Sequence, residues 1–315
     1  MHPCMQGAVL RRYTVFFDKQ RLRGEYKGLY VAGPWLARRG IRIKPADHRR
    51  PVLLIGGTNI TLNDQCELIS HLLVSGMEMA AIDYPIGTPL GPAIRPKPFR
   101  KSALCDFISR LKAERNVKGI DIVAHSYAAF EVVRTLMSDP EAYRSLVKSV
   151  VLINPPGFKE KIGAVAHCLR FMFVYVLTGW VKELFQLAGI GAGPIERGDP
   201  RRSTYVVRQV RGIAAMACTA FKNPLRSYRE VRDIVSFNIV PAMAALSNGY
   251  GFHLNLFLNR DDTIVPFQDT LKAVKSFLPE ENIKVVPGGH NDLIFQDWQR
   301  DAFTSFLRKV RTRQF

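Results

Sequence analysis

Residues 119–128 read Gly-Ile-Asp-Ile-Val-Ala-His-Ser-Tyr-Ala, and this stretch decides the fold. Its first half is a short apolar run of β-branched type after a turn glycine, which predicts a buried strand. Apolar residues then recur at helical spacing from Ala128 to Met137, which predicts a helix. Ser126 therefore lies in a tight strand-to-helix turn, which projects a hydroxyl above a sheet and makes this serine a candidate nucleophile.

A serine hydroxyl needs a base to remove its proton, and that base needs an acceptor on its other ring nitrogen. Asp262 follows the apolar strand Leu254–Leu258 and lies four residues before Pro266. His290 ends a Gly-Gly-His loop after a second apolar strand. The order serine, carboxylate, histidine differs from the His–Asp–Ser and Asp–His–Ser orders found in two classes of serine hydrolase.

The surrounding sequence resembles the α/β-hydrolase family from about residue 50 to about residue 310. Pro51–Ile55 runs into Gly-Gly-Thr-Asn, which is similar to the family's oxyanion loop. Met79–Pro85 looks like the next strand with its exit turn, and Ser149–Pro155 resembles the strand after the elbow helix. The resemblance implies the α/β-hydrolase fold, a mostly parallel central sheet with helices on both faces.

The same fold class is favoured by the alternation of strands with helical patterns along the chain. The predicted helices are Thr61–Ser75, Lys101–Arg115, Ala128–Ser138, Asp269–Phe277 and Asp297–Lys309.

The resemblance also implies a role for each matched residue. Ser126 would attack a carbonyl, His290 would take the serine's proton, and Asp262 would orient the imidazole. The backbone N–H groups of Tyr127 and Thr58 would form the oxyanion hole.

Two departures from the family pattern stand beside these matches. Ala124 and Ala128 replace the glycines that usually flank the nucleophile, and Gly56-Gly57 replaces the usual His-Gly of the oxyanion loop. Neither change removes a catalytic atom. We expect a slightly wider elbow, because each alanine adds one methyl group where backbones crowd.

Simpler interpretations exist for each candidate. Ser126 could be an ordinary helix N-cap, Asp262 a turn residue at a strand exit, and His290 a solvated surface histidine. Asp261 is the rival acid, since one residue of register decides between the two carboxylates.

Two further features are interpreted as structural. Ser126 has a small residue two positions before it and another two positions after it, and the same pattern recurs around Ser247. Ser247 precedes a strand and opens no helix, so we interpret it as a loop serine. His125 directly precedes the nucleophile, and we expect it to pack beneath the elbow with its side chain pointing away from that of Ser126.

The chain is longer than one α/β core requires, and the excess is localised. We predict a helical cap insertion over 157–231, a hydrolase core from 51–156 and 232–315, and an N-terminal basic segment over 1–50 with leading strands of the sheet. Leu169–Val181 is the most apolar run; it is shorter than the ~20 residues that span a bilayer. It could pack over the core, line an apolar acyl pocket or dock on a membrane surface.

The formal net charge is +18, and residues 1–50 alone hold twelve basic and three acidic side chains. A basic surface attracts nucleic acid, anionic lipid or acidic substrates. No nucleic-acid-binding module is recognisable, so no nucleic acid is expected. The alternatives are an anionic membrane surface and a basic surface without a dedicated partner. Eight arginines of the predicted insertion region carry the membrane hypothesis: Arg197, Arg201, Arg202, Arg208, Arg211, Arg226, Arg229 and Arg232.

Five cysteines without Cys-x-x-Cys spacing fit a reducing compartment. The histidines lack the spacing of a zinc site, so neither a metal nor a cofactor is predicted. Arg11 and Arg12 interrupt any secretory apolar core near the start. The predicted location is the cytoplasm, with peripheral membrane attachment as an open alternative.

The sequence thus predicts a serine hydrolase that cleaves an ester or thioester with an apolar acyl group. An acyltransferase on the same scaffold and a non-catalytic binding protein are the alternatives. Substrate identity and oligomeric state are not predicted.

Overall fold

The computed structural model describes residues 27–31, 50–57, 60, 65–83, 99–157, 238–262, 265 and 267–313. The cap predicted for 157–231, apart from Gly157, lies outside the described residues. So do the apolar run Leu169–Val181, the eight arginines and most of the basic segment 1–50.

One sheet contains the seven described strands: β1 (Lys27–Val31), β2 (Val52–Ile55), β3 (Met79–Asp83), β4 (Ile120–His125), β5 (Val147–Ile153), β6 (Leu254–Asn259) and β7 (Ile283–Val286). Their spatial order is β1-β3-β2-β4-β5-β6-β7. β1 is antiparallel to β3, and all other neighbours are parallel. Because β4 is central, its carboxyl end lies at the middle of the edge where open α/β sheets bind ligands.

The described helices are α1 (Cys66–Val74), α2 (Phe99–Arg115), α3 (Ala128–Ser138), α4 (Pro140–Arg144), α5 (Ile239–Ala244), α6 (Phe267–Val274), α7 (Asp292–Phe295) and α8 (Asp297–Thr312). The bounds of α3 are those predicted from apolar spacing. A π-helical turn at Ala245–Gly249 continues α5, and a 3-10 turn at Glu280–Asn282 precedes β7.

Two apolar layers cover the sheet, one on each face. Ile122 and Ala124 of β4 belong to the layer completed by α2 and α3, whereas Val123 belongs to the layer completed by α1 and α8. This alternation follows from the two-residue period of a strand. The prediction of a mostly parallel sheet covered by helices on both faces is confirmed.

Ser247 differs from its predicted setting in a loop. It lies within the π-helical turn, because the N–H of Tyr250 donates to the carbonyl of Ala245 at 3.0 Å and closes a wide helical turn. A π-helical turn of this kind has no signal in the spacing of apolar residues along the sequence.

The amino edge of the sheet holds a buried ion cluster, here called the amino-edge cluster. Asp121 of β4 is completely buried, and Arg50 donates to its two carboxylate oxygens at 2.9 and 2.7 Å. Ser149 donates its hydroxyl to the same carboxylate at 2.6 Å, and Nε of Arg311 lies 3.4 Å from it. The cluster ties β4 and β5 to α8 at the edge opposite the carboxyl ends of the parallel strands.

Candidate active site

Ser126 occupies the turn between β4 and α3 and has a φ of +53°. This left-handed conformation is uncommon outside glycine. Here it is held by two backbone hydrogen bonds, since Ser126 N–H donates to the carbonyl of Ile153 at 2.8 Å and Ser126 C=O accepts from Ala129 N–H at 3.0 Å. The turn leaves the serine half-buried at the carboxyl edge of the sheet.

Three predicted side chains meet at this edge. Ser126 Oγ lies 2.8 Å from Nε2 of His290, and Nδ1 of His290 lies 2.6 Å from Oδ2 of Asp262. An ionised carboxylate only accepts, so Nδ1 carries the proton and Nε2 is left to accept from the serine hydroxyl. The side chains of His290 and Asp262 are 7% and 2% exposed, so the hydrogen bond between imidazole and carboxylate is shielded from water. A serine in this arrangement can pass its proton to the imidazole as it attacks.

The two adjacent carboxylates have different partners. Asp262 uses its second oxygen, Oδ1, to accept from the N–H of Val265 at 2.8 Å, which fixes the carboxylate plane. Asp261 instead accepts from the N–H of Gly288 at 2.8 Å, and its own N–H donates to the Gly288 carbonyl at 3.1 Å. The structure therefore brings Asp262 to His290 and uses Asp261 to anchor the loop.

No protein-family model and no curated protein matches the sequence. Solved structures do resemble it. A carboxylesterase of the thaumarchaeon Nitrososphaera gargenis gives a TM-score of 0.58 at 16% identity, with 93% of this chain and 98% of that chain covered. A bromoperoxidase from Bacillus anthracis gives 0.59 at 15% identity, with 91% and 97% covered. An α/β-hydrolase enzyme from a sediment metagenome of the Mar Chica lagoon gives 0.50 at 10%, with 94% and 99% covered. This chain has the α/β-hydrolase fold.

The structure describes one of the two residues predicted for an oxyanion hole. Tyr127, which follows Ser126 in the chain, is buried with its ring stacked on Phe130. Thr58 lies outside the described residues. Gly57 precedes it and packs so closely that a Cβ there would lie 3.0 Å from Cβ of Ser126 and 3.2 Å from Nδ1 of His125. The glycine thus lets the loop after β2 approach Ser126 closely.

His125 is buried, in agreement with its predicted packing role, but it also makes a polar contact. Its Nε2 lies 3.0 Å from the backbone carbonyl of His290, and the two imidazole centroids are 5.0 Å apart. Burial, with the neighbouring His290 as a second cause, lowers the pKa of His125 to about 3. His125 is therefore neutral in the physiological pH range and adds no charge beside the candidate base.

The loop that carries His290 is held by side chains that the sequence did not single out. Gln299 donates to the Pro287 carbonyl at 2.8 Å, Asn259 donates to the Gly289 carbonyl, and Asp292 accepts from the Gly289 N–H at 2.9 Å. Asn154 donates to the His290 carbonyl at 3.0 Å. Asn154 and Asn259 could have been found as polar residues at the ends of apolar strands, whereas α8 gives no such signal for Gln299.

Among the described residues, no group of three or more His, Cys, Asp or Glu side chains could hold a metal ion. The same part of the chain contains no helix that is both long and apolar enough to cross a membrane.

Proposed function

We propose that this protein is a serine hydrolase that cleaves a carboxylic ester or thioester through an acyl-enzyme on Ser126. The observation that carries the proposal is the continuous pair of hydrogen bonds from Ser126 Oγ to His290 Nε2 and from His290 Nδ1 to Asp262. A non-catalytic binding protein has no need to keep a serine, an imidazole and a carboxylate in this relation. The likeness in fold to a carboxylesterase adds support of a general kind.

In the proposed reaction, Ser126 Oγ attacks the substrate carbonyl while Nε2 of His290 accepts its proton. Asp262 stabilises the imidazolium that forms. The tetrahedral oxyanion accepts from the backbone N–H groups of Tyr127 and Thr58, and one such donor is typically worth about 10²–10³ in rate. Nε2 then returns the proton to the leaving alcohol or thiol. Water, activated by the same imidazole, hydrolyses the acyl-enzyme and restores the serine.

The proposed substrate carries an apolar acyl group. Support for this part comes from the sequence of the predicted insertion, whose run Leu169–Val181 is the most apolar in the chain. Each methylene buried in a pocket contributes about 0.8 kcal/mol. For a series of aryl esters of increasing acyl length, kcat/KM should therefore rise until the pocket is filled. A profile that is flat or falls from acetate onward would instead favour a hydrolase of small acyl groups.

A fluorophosphonate probe tests the chemistry directly, because it phosphonylates a serine only where a base activates it. The purified full chain should be labelled, and peptide mapping should place the label on Ser126. The Ser126→Ala variant should stay unlabelled. An unlabelled wild-type protein that is folded and monodisperse would contradict the proposed function. Transfer of an acyl group to an added alcohol in preference to water would redirect the proposal to an acyltransferase.

A further inference from the structure

The backbone carbonyl of His290 accepts two side-chain hydrogen bonds. His125 Nε2 and Asn154 Nδ2 each lie 3.0 Å from it. His125 is the residue before the nucleophile, and Asn154 directly follows β5, the strand beside β4. The backbone of His290 is thus hydrogen-bonded to the residue that precedes Ser126 and to the residue that follows the neighbouring strand.

Asn154 is oriented before it meets His290. Its φ of +45° lies in the left-handed region, which asparagine tolerates better than most residues. Its Oδ1 accepts from the N–H of Asn259 at 2.8 Å, so the other atom of the amide must be Nδ2. The amide therefore presents a donor, and only a donor, to the His290 carbonyl.

His125 is fixed in one tautomer by the same carbonyl. Since a carbonyl oxygen can only accept, Nε2 of His125 must carry the proton. Nδ1 is then a buried lone pair, and it finds no hydrogen-bond partner among the described residues. Among the described residues, the polar contact of the His125 ring is the hydrogen bond from Nε2 to the His290 carbonyl.

We propose that His125 and Asn154 are positioning residues that hold the His290 backbone at one distance from Ser126. The expected effect on rate rests on the proposed function. The two hydrogen bonds to the His290 carbonyl, here called the His290 clamp, are a matter of geometry alone. The side chain of His290 turns about its own Cα, so fixing the carbonyl limits where Nε2 can lie. A displacement of about 1 Å in such a contact can cost about 10²-fold in rate.

The test uses variants that remove one donor each. Asn154→Asp keeps the shape, the tolerance of positive φ and the acceptor for Asn259, but replaces the donor with an oxygen. His125→Leu removes the imidazole donor, whereas His125→Gln retains an N–H at similar reach. The matched control is Asn255→Asp, because Asn255 is a buried amide at the amino end of β6 that donates to the His253 carbonyl.

Two readouts are measured on variants that unfold cooperatively. For fluorophosphonate labelling of Ser126, we expect Asn154→Asp and His125→Leu to be slower by on the order of tenfold to a hundredfold. His125→Gln should stay within about threefold of wild type, and Asn255→Asp should match it. In NMR spectra, the proton that His290 Nδ1 shares with Asp262 should be sharp in wild type, His125→Gln and Asn255→Asp, and broadened or lost in the two donor-removing variants.

The proposal is overturned if Asn154→Asp and His125→Leu keep both the labelling rate and the sharp proton of wild type. It is also overturned if Asn255→Asp slows labelling as much as they do, since the effect would then be one of general stability. The ring proton separates this failure from that of the proposed function. If the wild-type protein is not labelled but its His290 proton still depends on His125 and Asn154, the proposed function is contradicted. The positioning role of these two residues is then retained.

Discussion

The two ends of β4 carry polar groups of opposite character. At the amino end, Asp121 is completely buried and is bonded by Arg50 and Ser149. At the carboxyl end, Ser126 is half-buried and contacts a single ring nitrogen of His290. The first arrangement has every carboxylate oxygen engaged and is closed to solvent. The second leaves a hydroxyl able to meet a ligand.

This contrast separates stability from chemistry along one strand. A carboxylate buried against guanidinium groups is strongly coupled to folding, because removing one partner leaves a buried charge without its counter-charge. A half-exposed hydroxyl has little such coupling. Substitutions at the two ends should therefore divide cleanly, with loss of activity at one end and loss of stability at the other.

Ser126→Ala should produce the largest effect. Turnover of a short aryl ester should fall by about 10⁴–10⁶, the range found when a nucleophile of this kind is deleted. The free energy of unfolding, measured in urea, should change little. Ser247→Ala is the control, since that serine lies in the π-helical turn after α5 and should turn over ester like wild type. An undiminished rate in Ser126→Ala would contradict the assignment of the chemistry to the carboxyl end of β4.

Replacing each of the two adjacent carboxylates tests which of them supports His290 at the carboxyl end of β4. Asp262→Asn should lower kcat by about 10⁴, because an amide no longer fixes the His290 tautomer or stabilises its charge. Asp261→Asn removes only an anchor of the Gly288 N–H, so the expected loss in kcat is on the order of tenfold or less. Steady-state kinetics of both variants decides the acid. A larger loss in Asp261→Asn would reverse the assignment.

Asp121→Asn tests the amino end. We expect the free energy of unfolding to fall by about 3–5 kcal/mol, since the substitution removes the carboxylate that faces Arg50 and Arg311. The fraction that remains folded should react with the fluorophosphonate at the wild-type rate. Asp106→Asn is the matched control, because its partner Arg110 is one turn away on α2 and both side chains are partly exposed; a loss of at most about 1 kcal/mol is expected there. Equal losses in the two variants would remove the special status of the buried cluster.

The smallest predicted effect is a pH dependence of stability. The pKa of folded His125 is about 3, whereas unfolded histidine titrates near ~6.5. Between these values the unfolded chain binds the extra proton, so the stability due to neutral His125 is complete above the unfolded pKa and falls as the pH drops. The loss should be about 2 kcal/mol between about pH 8 and about pH 5. The free energy of unfolding in urea should decline less steeply with falling pH in His125→Gln than in wild type. Parallel pH curves for the two proteins would contradict the neutral state assigned to buried His125.

The sequence allowed more of the fold to be predicted than of the site's support. Strands with β-branched apolar runs and helices such as Ala128–Ser138 are local patterns, and the resemblance supplied their order. The contacts of Asn154 with His290 and Asn259 join residues more than a hundred positions apart, so no periodicity reports them. Gln299 contacts Pro287 from a helix to the preceding loop, and apolar spacing carries no signal for that contact either. The amino-edge cluster was missed for the same reason, since a single charged residue within an apolar strand does not announce its partners. The resemblance favours Asp262 over its neighbour Asp261, and the coordinates add the contact between Asp262 and His290, which no local pattern reports.

The left-handed backbone at Ser126 has a consequence for how this position can change over generations. An L-residue there bears a conformational cost of about 1–2 kcal/mol that glycine avoids, although glycine also loses about 0.5–1 kcal/mol of chain entropy on folding. Ser126→Gly should therefore melt no lower than Ser126→Ala, and both would be inactive. A lineage released from selection for turnover would have no thermodynamic reason to retain serine at this turn. Under the proposed function, retention of serine at this turn is favoured by the chemistry of its hydroxyl and not by the stability of the fold.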